Sequence, residues 1–287
     1  MNLKAFTNHD RAKQKPHHRW SLILNSVACS YVKDIWSRRY FCLHLTLSDI
    51  RSRFRRSHLG LAWAIFQPML LTTIMSVVLA VVFKQPYKEF SLYVFSGIIT
   101  WELIVGSINT GAASIIGGEG YLRQVRMPIL IFPIKAVLFC IVFYFCGMFG
   151  YFIYAAFVLP ASLSLYAIAL LPITLLLFAF CLPLATISAI INTHFRDFLQ
   201  VTSLLLQIVW YLSPVFVARD VFNRPYLREW DAINPVASIC DVIRNPLIYH
   251  TMPAADDILL IIIYTVFLWA LASALVYRYQ ARIVFYL

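Results

Sequence analysis

Residues 62–83 read AWAIFQPMLLTTIMSVVLAVVF, 22 positions without a single charge. A helix of about 20 such residues crosses a hydrocarbon core of roughly 30 Å. Five further apolar runs follow: 91–113, 129–159, 164–191, 198–217 and 258–277. Each is long enough to cross, so the pattern predicts an all-α membrane protein with six transmembrane helices. The runs are continuous rather than alternating, which excludes a transmembrane β-barrel. Pro68, Pro133, Pro172 and Pro183 lie inside them. Neighbouring helices can satisfy the carbonyls that prolines leave free, so kinks rather than breaks are expected.

The composition agrees. Of 287 residues, 61% are apolar and 13% charged, and the mean hydropathy is +0.75. Soluble domains carry about 25% charged residues, so a soluble enzyme is excluded, and disorder with it. The net charge of +11 would suggest nucleic acid in a soluble protein. Here the basic residues flank spans, and no nucleic-acid partner is expected. With six spans, 18 of the 24 Lys and Arg fall on the side that holds both termini, and 6 on the other. The positive-inside rule then puts both termini of a multi-pass membrane protein in the cytoplasm. No cleavable leader is read: Leu22–Cys29 loosely imitates a lipoprotein cleavage site, but its apolar core is short and holds Asn25.

The segments between spans divide the chain further. Residues 1–40 form a basic cytoplasmic arm suited to anionic lipid headgroups. In 41–58, Leu43, Leu47, Ile50 and Phe54 share a helical face, with Arg51, Arg53, Arg55 and Arg56 on the remainder. This amphipathic helix is expected in the interface plane. An anchor and a lever are both compatible with it. Residues 59–287 form the six-span membrane domain. Gly117, Gly118 and Gly120 precede a short helix ending before Pro128, and permit positive φ and a sharp exit from the membrane. Between the last two runs, Ala232–Cys240 and Val242–His250 each contain an Asn-Pro and are too short to span. Both read as short re-entrant or interfacial helices before the last span, an outer gate or a surface cap.

Catalytic patterns are missing. No GxxxxGK[ST] occurs, so no ATP site is read, and no HExxH or Cys/His metal cluster appears. His194 and Asp197 sit close together but without a nucleophile. Glu102 is the one acid within a span; it is expected to pair with a polar group or to face a water-filled cavity. Trp63, Trp210, Tyr211 and Trp269 fit interfacial belts, and aromatic faces also stack on sugars.

Several segments together carry a resemblance. Arg55–Pro68 (RRSHLGLAWAIFQP), Phe95–Trp101 (FSGIITW), Gly120–Pro128 (GYLRQVRMP), Gln207–Pro214 (QIVWYLSP), Asn234-Pro235 and Arg244-Asn245 resemble, in order, motifs of ABC-2 type polysaccharide-export permeases. Thr100 stands where that family usually has Pro. The resemblance implies a homodimer of permeases with two separate ATPase subunits, which hold ATP and Mg. It implies export of a lipid-linked glycan such as O-antigen, capsule or teichoic acid. It also implies that Arg51, Arg53, Arg55 and Arg56 belong to the interface helix, and that Glu119, Tyr121, Arg123 and Arg126 contact the ATPase. Trp101, Trp210 and Tyr211, with Glu102 beside them, would line the substrate path. Asn234, Pro235, Arg244 and Asn245 would form the outer gate. Alternatives are an ABC-2 permease for a drug or a lipid, and a membrane-embedded glycosyl- or acyltransferase.

Overall fold

The computed structural model of the chain describes residues 33–125, 127–160, 165–217, 219 and 228–280. Most of the basic arm, together with Arg126, Arg224 and Arg282, lies outside the described residues. The chain divides into two units, Met1–Phe41 and Cys42–Leu287. In the first, 33–37 form a helical turn whose Ser37 Oγ donates to the Asp34 carbonyl at 2.8 Å.

The helices are α1 (Arg39–Arg53), α2 (Trp63–Phe83), α3 (Tyr87–Gly117), α4 (Glu119–Gln124), α5 (Ile131–Val158), α6 (Leu170–His194), α7 (Phe198–Tyr211), α8 (Arg228–Ile233), α9 (Pro235–Arg244) and α10 (Ala255–Tyr279). No strand occurs among the described residues. Five helical segments are long and apolar enough to cross a membrane: Gly60–Phe83, Tyr87–Gln124, Ile131–Val158, Leu165–His194 and Ala255–Tyr279. The chain is a multi-pass, all-α membrane protein.

α3 is the axis of the second unit. It packs on α6, α5 and α2, and α6 in turn packs on α10. Its most apolar stretch is 78% buried, against 17% for α2 and for α10. Small residues let its neighbours approach. A Cβ on Gly111 would sit 2.6 Å from Ala185 Cα, so α3 and α6 touch backbone to backbone there. Asn192 Nδ2, on α6, donates to the buried Ala112 carbonyl at 2.9 Å.

Four expectations are revised. The fifth run does not remain helical to residue 217. α7 has 14 residues, about 21 Å of helix, and ends at Tyr211. Pro214 offers no N–H and disfavours helical geometry at Ser213. The amphipathic helix stops at Arg53, so Arg55 and Arg56 follow it in a turn. Its protein-facing side is Cys42, Leu45 and Thr46, while Leu43 and Leu47 are exposed. The glycine run makes no left-handed hinge: α3 is helical through Gly117, Gly118 has φ −94°, and of the described glycines only Gly60 has positive φ. Finally, the segment after α7 breaks at Asn234 rather than between Cys240 and Val242. α9 then runs into a wide π-type turn, Asn245–Tyr249, because Pro246 has no N–H for the helical ladder.

Candidate functional site

The break after Tyr211 leaves backbone carbonyls without helical partners. In a membrane domain such backbone survives only where protein or water satisfies it. Here the following segment supplies the donors. Trp230 Nε1, from α8, donates to the Leu212 carbonyl at 2.7 Å. Asn234 Nδ2 donates to Ser213 Oγ at 2.8 Å, while Asn234 Oδ1 accepts from the Val236 N–H at 3.0 Å. Asn234 therefore caps α9, with Pro235 at the first helical position, and fastens it to the broken end of α7.

Arg244, at the other end of α9, completes the knot. Among the described residues it is the largest fully buried side chain, with no exposed surface. Its Nη1 donates to the Pro214 carbonyl at 2.7 Å and its Nη2 to the Val215 carbonyl at 2.6 Å. Longer bonds run to the Tyr93 carbonyl and Ser96 Oγ, both at 3.3 Å. The guanidinium carbon lies 3.5 Å from the Tyr93 ring centroid. One rigid fork thus ties α9, α3 and the α7 break together, which a point-charge lysine would not reproduce. Gly97 makes room for it: an added Cβ would collide with the Val215 carbonyl and lie 2.7 Å from Arg244 Nη2.

Arg219 gathers carboxylates nearby. It pairs with Asp231 at 2.7 Å and with Asp241, and Asp257 lies at 3.9 Å. Burial works against the Arg219 charge, but the Asp231 hydrogen bond and the Asp241 and Asp231 charges prevail and raise its pKa. Burial raises the pKa of Asp241 despite the opposing Arg219 and Arg244 charges.

An aromatic wall adjoins the knot. Trp101 and Trp210 meet edge to face at 5.2 Å, Trp210 lies 5.9 Å from Phe216, and Tyr211 lies 6.4 Å from Phe216. Trp101 is buried and Tyr211 is 64% exposed. Glu102 does not join this wall. Successive helical residues point about 100° apart, and Glu102 opens instead on a cavity between α1, α2, α3 and α5.

Along α7, Gln200, Ser203, Gln207 and Tyr211 recur at helical spacing and are all exposed, and no residue of this helix is buried. Their spacing was readable in the sequence, but the uniform hydropathy of the run hides it.

At the opposite end of α3, the single residue Gly118 separates it from α4. Arg123 and Glu119 pair along α4 at 2.6 Å, and Tyr121 is exposed. α1 is fastened to α5 by Asp49 and Lys135 at 2.8 Å. Phe54, just beyond α1, stacks on Phe143 at 5.9 Å. Arg51, Arg53, Arg55 and Arg56 are exposed around this helix and the turn after it.

The sequence profile of the family described as ABC-2 type transporter matches residues 40–248, from α1 through the π-type turn. The chain belongs to the ABC-2 type transporter family. As an ABC-2 protein it is the membrane-spanning subunit of a transporter. It is 25% identical over 256 residues to the O-antigen export system permease protein RfbA of Myxococcus xanthus, covering 84% of this chain and 94% of that one. It is 22% identical over 197 residues to the O-antigen export system permease protein RfbA of Klebsiella pneumoniae, covering 68% and 75%. The match includes the broken α7, the knot and the α3–α4 junction, so these elements fall within the ABC-2 region.

Proposed function

We propose that this ABC-2 protein is the permease subunit of an exporter that moves a lipid-linked, O-antigen-like polysaccharide outward across the bacterial inner membrane. Two copies pair, and two separate ATPase subunits bind ATP and Mg on the cytoplasmic side, where both termini lie. The observation that carries this reading is the exposed face of α7. Gln200, Ser203, Gln207 and Tyr211 form an exposed polar and aromatic stripe on an apolar helix that has no fully buried residue. Such a stripe is unfavourable against lipid. It suits the wall of a hydrated path completed by a second copy. Tyr211 and Trp210 offer ring faces to the C–H faces of sugars without requiring one sugar identity, and the buried Trp101 backs Trp210. The names of the relatives supply the substrate class.

In this mechanism the permease breaks no covalent bond. α4 and the loop to Arg126 meet the ATPase, with Glu119, Tyr121 and Arg123 on the contact. Arg51, Arg55 and Arg56 attract the anionic lipid head at the interface. α8 and α9, fixed by Asn234, Pro235, Arg244 and Asn245, gate the outer mouth, and their movement carries the end of α7 with it.

Disrupting the chain in its host tests the proposal. Loss of surface polysaccharide, with lipid-linked glycan accumulating inside, is expected. Normal surface glycan together with altered drug sensitivity would replace the substrate class. Transfer activity by the purified chain alone would overturn the transport reading. Arg123→Glu should remove the ATPase from co-purification while leaving the permease in the membrane.

A further inference from the structure

The cavity on the other side of α3 has a volume of about 180 Å³, room for about six waters. Glu102, at the midpoint of α3, and Arg53, the last residue of α1, both line it, with Trp63, Gln67 and Thr110. Among the described residues the Glu102 carboxylate has no hydrogen bond or ion pair. A carboxylate within a span is costly and calls for a partner. Arg53 is its counterpart. Its guanidinium lies over the Phe143 and Phe139 rings, at 4.9 Å and 5.6 Å, and has no carboxylate partner among the described residues. Asp49, one turn back on α1, is already held by Lys135 at 2.8 Å. A cation without a carboxylate and a carboxylate without a cation therefore open on one cavity.

We infer that Arg53 and Glu102 are a positioning pair: they attract across the cavity, and closure of the cavity brings the guanidinium onto the carboxylate and ties the end of α1 to the middle of α3. Asp49–Lys135 anchors α1 at α5, so Arg53 is the arm that reaches further inward. Glu102 adjoins Trp101, so a shift of α1 reaches the Trp101–Trp210 contact through one residue. Glu102 is thereby removed from the substrate wall. The role of this pair in transport rests on the reading of the chain as an ATP-driven permease; the pairing itself does not.

A double-mutant cycle on the full permease–ATPase complex decides this, read by ATP hydrolysis and by glycan export. Arg53→Gln and Glu102→Gln should each slow both readouts about tenfold, and the double variant should be no slower than either alone. Exchanging the charges, Arg53→Glu with Glu102→Arg, should restore at least half of the wild-type rate. Single effects that multiply to about a hundredfold would overturn the pair. So would Arg53→Gln at the wild-type rate beside a slow Glu102→Gln, which would assign the carboxylate to another partner. If the single variants, which leave one charge unpaired, fail to assemble, Arg53→Cys with Glu102→Cys in a Cys140→Ala background, which leaves none, replaces the cycle under an added thiol oxidant. A disulfide that forms in one nucleotide state is expected, and none in any state would refute closure. A wild-type complex that hydrolyses ATP but moves no glycan sinks the substrate reading, and the hydrolysis cycle still decides the pair.

Discussion

Arg244→Ala is the most demanding perturbation of the knot. Removing the guanidinium leaves the Val215 carbonyl, now bonded at 2.6 Å, without a donor, and the Pro214 carbonyl, now bonded at 2.7 Å, with only the Tyr93 hydroxyl at 3.4 Å. Each unsatisfied buried group costs about 1–3 kcal/mol. The void left by the largest fully buried side chain adds to this. Against it stands relief of the several kcal/mol needed to bury an ion. The net expected loss is about 3–5 kcal/mol, the range for removing one partner of a buried ionic contact. At about 2–4 °C per kcal/mol for a chain of this order of size, the Tm falls by roughly 10 °C. Thermal unfolding of the purified chain in detergent, followed by tryptophan fluorescence, measures this directly. Arg244→Lys should recover less than half of the loss, because one ammonium cannot span all the acceptors of the fork. A loss below about 1 kcal/mol for Arg244→Ala, or a lysine variant equal to wild type, would refute the claim that Arg244 satisfies the broken helix.

Gly97→Ala places a Cβ against the Val215 carbonyl and the Arg244 guanidinium; thermal unfolding should show a loss of about 1–3 kcal/mol or more, concentrated in the knot by hydrogen exchange. Cys42 is buried at the α1–α5 contact, and burial pushes its thiol up to about 11, opposed by the Lys135 charge. Because the raised pKa favours the neutral thiol, the thiolate fraction at pH 8 falls about a hundredfold from that of a free cysteine. Maleimide should leave Cys42 unmodified at that pH, and Asp49→Ala, which frees α1 from Lys135, should speed labelling severalfold. Trp101→Ala removes the edge contact with Trp210 at 5.2 Å; glycan export should slow at least tenfold in complexes that still assemble, and unchanged export would remove Trp101 from the path.

The membrane fold was legible because hydropathy over about 20 residues reports the surrounding solvent. The five long segments coincide with five of the apolar runs, shifted by a few residues at their ends except that the second continues through α4 to Gln124. The same measure conceals the break after Tyr211, since Leu212, Val215 and Phe216 are as apolar as a helix interior. Only Pro214 marks it. Asn234 and Arg244 stood out by resemblance, but nothing local in the sequence shows that an arginine six residues before His250 is fully buried or that its acceptors lie 29 to 151 positions away. Glu102 and Trp101 are neighbours in sequence and so read as one site. The helical turn between them sends one to a cavity and the other to the aromatic wall. Around α1, the pattern identified an amphipathic helix but not which side meets protein, because Leu43 and Leu47 are exposed while Cys42, Leu45 and Thr46 are buried.

The central claim is ATP-driven glycan movement through a path that two copies of α7 complete. Reconstituting the full chain with its ATPase subunit in proteoliposomes, and supplying labelled lipid-linked polysaccharide and ATP, measures it most directly. The account predicts ATP-dependent protection of the label inside the vesicles, reduced at least tenfold when Gln200 and Gln207 are both replaced by Leu. Protection without ATP, or export unaffected by those leucines, would contradict it.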